Sequence, residues 1–235
     1  QKILLLMTAF HVSTPTLSYK YWLNGVLYWL YQNTDKSESD YFNALQHLAR
    51  KFIFQRYLNE KQIDYFDLIY GNQTIDDFKI DQSKLSFGNI ENNFVFNYLD
   101  FLIYCDAENS NDKVIKNFKF TQRSSVEHFY AQQIEGERDE SDHENLHLFG
   151  NLCLISSSKN SSIGNRLPSA KRDYFMPEIR KGKIDTLKLY LMIQMLEEKN
   201  VWKKEQILDH EKKMLDLFES DYKDFCEMCA GESIQ

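Results

Sequence analysis

Arg123-Ser124-Ser125-Val126-Glu127-His128, then Gly150-Asn151-Leu152-Cys153-Leu154-Ile155, then Lys159-Asn160-Ser161-Ser162 and a later Lys171 form the run that decides how this chain is read. Arg123 to Tyr130 mixes Val126, Phe129 and Tyr130 with polar residues, the composition of a short strand. Asn151 to Ser156 is a second short apolar run, bounded by Gly150 in front and serines behind. The serines, Lys159 and Asn160 that follow are turn and helix-cap residues. A strand, a loop, a strand and a helix start then bring Glu127, His128 and Asn160 to one end of a small hairpin-plus-helix.

That grouping has a chemistry. Glu127 and Asn160 offer oxygen ligands and leave positions open for water and phosphate, which suits Mg²⁺ or Mn²⁺. His128 stands beside them as general base, because imidazole is the side chain best matched to proton transfer near neutral pH. The metal would stabilise charge on the phosphate and the leaving oxygen. Asn151 cannot titrate, so its expected use is a hydrogen bond that fixes the histidine loop. Each residue also has a plainer reading: a Glu-His pair on a surface strand, Asn151 in a turn, Asn160 as a helix cap. Their joint order, with the second Asn nine residues after the first, is what carries the functional reading.

The order and rough spacing are those of an HNH, or ββα-metal, nuclease site. More closely, the run resembles the C-terminal domain of the GmrSD-type restriction endonucleases. Members look like Ser-Ile-Glu-His-Ile-x-Pro-Gln, a variable loop, Leu-Gly-Asn-Leu-x-Leu, then Asn and a later Lys before an aromatic residue. The matching residues are Ser125-Val126-Glu127-His128-Phe129-Tyr130-Ala131-Gln132 and Phe149-Gly150-Asn151-Leu152-Cys153-Leu154, followed by Asn160, Asn165, Lys171 and Tyr174. Ala131 stands where the family usually has proline, a change that removes no chemical group.

The resemblance implies a metal-dependent DNA endonuclease domain of a bacterial restriction or phage-defence protein. In that reading His128 and Asn151 serve catalysis, and Glu127 and Asn160 hold Mg²⁺ or Mn²⁺. The substrate is DNA, modified phage DNA included, and the partner is an N-terminal nucleotide-hydrolysing domain absent from this chain. The alternative is a non-catalytic DNA- or protein-binding module on a decayed HNH scaffold. His128, the one residue of the set able to do base chemistry, favours the nuclease.

Charge is distributed in a way that bears on DNA. The net charge of −7 argues against an indiscriminate nucleic-acid coat. Yet Lys159 to Lys183 holds seven Lys or Arg against two acids, directly after the site. Arg166, Lys171 and Arg172 there, with Arg123 at the start of the first strand, are the candidate phosphate contacts; a solvated helix face is the plainer use of such a run. Glu135 to Glu144 is the reverse, six acids against one Arg, expected as a mobile excursion that covers the site or repels DNA. His143 and His147, four apart, lack a third ligand at helical spacing and read as surface histidines.

The remaining sequence reads as helical scaffold. Three prolines and eight glycines in 235 residues favour long helices, and seventeen Phe with fourteen Tyr supply core. Helices are expected over 3–11, 17–32, two within 39–70, 92–104, 185–199 and 202–225, with Pro168 opening another and Asn200 capping the last. Residues 71–90 read as a connection, and 113–120 as an extended lead into the first strand. The fold class is therefore mainly α (α+β), a helical body with an embedded ββα-metal element. Its parts are a helical region over 1–112, the HNH-like motif over 113–184, and C-terminal helices over 185–235 packed on the same body. Gln1 in place of Met suggests an excised domain. No stretch approaches the roughly 20 apolar residues that span a bilayer, and Ile3 to Phe10 lacks a signal-peptide cleavage site. Cys105 and Cys153 read as reduced buried thiols, and Cys226-x-x-Cys229 alone is weak for zinc. Cytoplasmic residence follows as the default.

Overall fold

Apolar residues at helical spacing fill most of the chain, and the computed structural model, which describes residues 1–14, 20–71, 79–132 and 143–232, is mainly helical. It divides into two compact units, one of Gln1–Leu85, Asn89–Tyr98 and Phe218–Gln235, the other of Ser86–Gly88 and Leu99–Leu217.

The first unit holds α1 (Lys2–Ser13), α2 (Tyr21–Gln32), α3 (Glu38–Lys51) and α4 (Tyr65–Tyr70). Helix α3 starts at a capping box: Ser37 Oγ accepts the Asp40 N–H at 3.2 Å, and the Asp40 carboxylate accepts the Ser37 N–H at 2.9 Å. It runs on into a π-helical turn over Phe52–Tyr57, and α4 is capped by the Asp64 carboxylate. Phe10 stacks between Trp22 (5.1 Å) and Phe94 (4.1 Å) in the core. Buried Arg50 donates to Asp221 at 2.7 Å, and Asp221 also accepts the Tyr98 hydroxyl at 2.7 Å. The aromatic load of the sequence is thus largely packing.

The second unit carries the motif. Helix α5 (Phe94–Asp106) contributes the part from Leu99 onward, followed by α6 (Lys113–Lys116) and β1 (Ser125–His128). Then come α7 (His143–Leu146), a 3₁₀ turn over Phe149–Asn151, β2 (Leu152–Ile155), α8 (Ser157–Ile163), α9 (Pro168–Ile179), α10 (Leu187–Lys199) and α11 (Lys204–Glu232), the last contributing up to Leu217. Strands β1 and β2 pair antiparallel, with Ser125 opposite Ile155, Glu127 opposite Cys153 and His128 opposite Leu152. All four β2 residues are buried, which accounts for its unbroken apolar run, whereas β1 is half-buried. Cys153 is a buried thiol, its pKa pushed up to about 12 by burial, and Cys105 is half-buried.

Three local expectations change. Residues 113–116 form a turn of helix and not extended chain, because the Asp112 carboxylate caps the Val114 N–H at 2.8 Å. Helix α8 starts after Ser156, so Asn160 lies inside it and is no cap. Asn200 does not open α11; with φ of 56° it closes α10 in the left-handed conformation that Asn tolerates. Pro168 does sit at the first turn of α9. Residues 17–19 of an expected helix, 72–78 of the expected connection, most of the acidic stretch (133–142), and the Cys229 side chain lie outside the described residues. Among the described residues no helix is long and apolar enough to cross a membrane.

Two devices fix the turn before β2. Lys188, buried in α10, donates from Nζ to the carbonyls of Phe149 and Leu152, each at 2.6 Å. Gly150 lies so close to α11 that a Cβ there would fall 2.0 Å from the Ile207 carbonyl oxygen. The Glu211 carboxylate on the same helix accepts the Phe149 and Gly150 N–H groups. Gly150→Ala therefore forces backbone apart, and we expect it to lower stability by about 3 kcal/mol, the upper end for overpacking; urea unfolding of both proteins measures this.

Candidate active site

Asn151 is the most constrained side chain of the motif. It is fully buried, and all its hydrogen-bonding capacity is used. Its Oδ1 accepts the Tyr130 N–H at 2.8 Å and the Trp202 Nε1–H at 3.1 Å, and its Nδ2 donates to the carbonyls of Tyr130 and Leu146, both at 3.0 Å. The Asn151 carbonyl accepts the Phe129 N–H at 2.8 Å. These bonds clamp the chain just after His128 to the chain just before β2. Asn151 is sealed from solvent, so its contribution is to hold the histidine loop in place.

His128 ends β1 and is buried, at 7% exposure. Its Nε2 lies 3.2 Å from His147 Nδ1 and 3.2 Å from the Gln132 amide nitrogen. Phe87 packs against the ring with centroids 4.3 Å apart. Burial, with the His147 ring and the Lys171 ammonium adding to it, pushes the His128 pKa down to about 4. The imidazole is therefore neutral near pH 7, the form in which one nitrogen carries a lone pair able to take a proton.

Glu127 lies on the other side of the strand, as alternation requires. One carboxylate oxygen accepts from Lys171 Nζ, which also donates to the His128 carbonyl. Asn160 reaches β1 from α8: its Nδ2 donates to Ser125 Oγ at 2.6 Å. Ser125 and Glu127 share a strand face, so that bond sets Asn160 on the Glu127 side of β1. The amide oxygen, the atom an amide uses as a ligand, is not consumed by that bond. One carboxylate and one amide oxygen on a common face are the donor types that a hard cation such as Mg²⁺ or Mn²⁺ takes. Among the described residues no group of three or more His, Cys, Asp or Glu side chains is arranged to hold a metal.

The basic residues separate into two kinds. Arg123 and Lys171, expected at the DNA backbone, are buried at 2% and 1% exposure. Arg123 donates to the Lys119 carbonyl at 3.2 Å and lies over the Phe118 ring, with burial pushing its pKa down while Asp100 and Asp185 oppose that. Lys171 is spent on Glu127 and the His128 carbonyl. Neither side chain is presented to a ligand in solution. Lys159 likewise bonds Glu178 and Asp185 within the fold. Arg166 is exposed and Arg172 half-exposed beside Asp173, with Arg180, Lys181 and Lys183 exposed further on. A cleft of about 480 Å³ in the first unit, walled by Trp29, Tyr41 and Leu48, includes none of these residues.

Sequence reading missed Phe87, Gln132 and His147 as neighbours of His128. His147 is exposed, as expected, but its ring is turned to His128. The four-residue spacing to His143 drew attention to the wrong partner, nineteen residues' separation from His128 being invisible to any local pattern. Trp202, which bonds Asn151, carried no signal either.

A family model described as GmrSD restriction endonucleases, C-terminal domain, matches residues 73–217. No curated protein and no solved structure matches the chain.

Replacing Asn151 strands buried partners at about 1–3 kcal/mol for each unsatisfied group. Asn151→Ala should lower stability by at least about 3 kcal/mol. Asn151→Asp, nearly the same shape, should also destabilise the fold, because a carboxylate cannot donate to the Tyr130 and Leu146 carbonyls. Denaturant midpoints of the two variants check both statements.

Proposed function

The chain belongs to the C-terminal domain family of the GmrSD restriction endonucleases, and we propose that it is the metal-dependent nuclease module of such an enzyme, of HNH type. The observation that carries the reading is the approach of Asn160, from the helix directly after β2, to the Glu127 face of β1 through Ser125. Strand, strand and helix thereby flank Glu127 and Asn160, the oxygen donors that would hold Mg²⁺ or Mn²⁺, and His128 is the next residue along β1, its ring on the other face of the strand.

In this reading the ion, when bound, supplies positive charge for the phosphate and the leaving oxygen. The chain's own residues do the rest. Neutral His128 accepts the proton of the attacking water. Asn151 keeps the backbone at Phe129 and Tyr130 from shifting, so the imidazole stays where it is needed. Lys171 steadies the Glu127 carboxylate and, through the His128 carbonyl, the strand end. Exposed Arg166 and partly exposed Arg172 take DNA phosphates. The family match supports DNA as the substrate; modified phage DNA as a target and a nucleotide-hydrolysing partner domain are part of this proposal.

One observation favours the alternative, a binding module on a decayed scaffold. The Lys171 ammonium already satisfies Glu127 as a metal ion would. The two readings separate in one assay. Plasmid DNA, unmodified and modified, is incubated with the wild-type chain and with His128→Ala in Mg²⁺, Mn²⁺ or EDTA. The nuclease reading predicts nicking that EDTA abolishes and that His128→Ala slows at least about 10²-fold, the lower range for a general base. Undiminished cutting by the variant would remove His128 from the chemistry.

A further inference from the structure

Three side-chain atoms converge beside β1 in a way hydrogen bonding does not satisfy. His128 Nε2 and His147 Nδ1 are 3.2 Å apart, the Gln132 amide nitrogen is 3.2 Å from the first and 3.4 Å from the second. A ring nitrogen carries either a hydrogen or a lone pair, and an amide end is either a donor NH₂ or an acceptor oxygen. If both ring nitrogens hold lone pairs, the NH₂ serves both and the lone pairs face each other. If His128 donates to His147, the NH₂ faces an N–H. Turning the amide, whose two ends are interchangeable in such an assignment, only moves the mismatch to the edge between oxygen and the second lone pair. A triangle of groups that each play one role leaves one edge like against like.

A cation at the centre resolves all three edges, provided Gln132 presents Oε1. The spacing fits. Tetrahedral zinc with bonds of about 2.0–2.1 Å sets its ligand atoms about 3.3 Å apart. We infer that His128 Nε2, His147 Nδ1 and Gln132 Oε1 form a site for one borderline divalent transition metal, zinc above all, with a fourth position open to water. Two imidazoles and one neutral oxygen suit such an ion and not Mg²⁺, which prefers carboxylate and water oxygens.

The ligands are held in place. Phe87 packs on His128 at 4.3 Å and stacks on His147 at 5.7 Å and 21°, and its N–H donates to the His147 carbonyl at 2.9 Å. His147 and Gln132 are exposed, so the site opens to solvent and an ion can enter. It is distinct from the oxygen pair of Glu127 and Asn160, which lies on the opposite strand face. The site stands whether or not the chain cuts DNA. Its consequence for cutting follows from one atom: an ion held there takes the Nε2 lone pair, so zinc and a proton-accepting His128 exclude one another.

Zinc chloride titrated calorimetrically into the whole chain tests this without DNA. The wild type should bind one zinc ion more, per chain, than His147→Ala binds with comparable affinity. Gln132→Ala should weaken that equivalent at least about tenfold, a difference of about 1.4 kcal/mol. Cobalt in place of zinc should give the wild type the visible absorption of a tetrahedral nitrogen-oxygen site, absent from His147→Ala. Both variants alter exposed residues, and far-ultraviolet circular dichroism checks that they fold. Wild type and His147→Ala titrating alike, or a wild type that takes up no zinc, would overturn the inference. Neither result would touch the nuclease reading, which the Mg²⁺ assay decides.

Discussion

Everything at this site depends on how a hairpin of two four-residue strands survives the long connection between them. Strands that short make few ladder bonds, and closing residues 129–151 into a loop costs entropy that grows with its length. Asn151 meets that cost from the side. Its buried amide bonds Tyr130 in both directions, Leu146 on the far arm of the loop, and Trp202 from the following segment. Lys188 adds two bonds to carbonyls on either side of Asn151, and Gly150 lets helix α11 press against the same turn. Gly150 and Asn151, the residues of the motif with no titratable group, are thus the ones that hold the histidine loop in position.

Charges inside the second unit follow from this packing. Lys188, Asp100 and Arg123 are nearly inaccessible, and burial moves Lys188 down to about 7 and Asp100 up to about 7. Hydrogen bonds replace part of the water that such groups lose. Lys188 Nζ has its two carbonyls, and Asp100 accepts the backbone N–H of Lys188 at 2.8 Å. The same logic divides the basic run. Lys159 and Lys171 are bound to carboxylates of the fold, which leaves Arg166, Arg172 and the exposed cations near residues 180–183 at the surface.

Patterns of local composition reached a good part of this arrangement. The apolar run at Leu152–Ile155 and its mixed partner at Ser125–His128 could be read as strands because period and turn residues are local properties. Pro168 and the long C-terminal helices were readable for the same reason. The order of Glu127, His128, Asn151 and Asn160 carried the family resemblance before any geometry, and the match over residues 73–217 shows that family. What composition could not disclose is which cations face inward. Arg123 and Lys171 are ordinary basic residues in a basic neighbourhood, and only tertiary packing turns them into buried partners of the core and of Glu127. Phe87 and His147 reach His128 through contacts between distant segments, which leave no trace in spacing.

The claim that Glu127 and Asn160 form a cation site is open to direct observation. Manganese soaked into crystals of the chain can be located by its anomalous scattering. The structure-based reading predicts one ion bound by the Glu127 carboxylate and the Asn160 amide oxygen at bonding distance, with Lys171 moved aside or sharing the carboxylate. Density for manganese only elsewhere, or none at all with Lys171 still seated on Glu127, would contradict it.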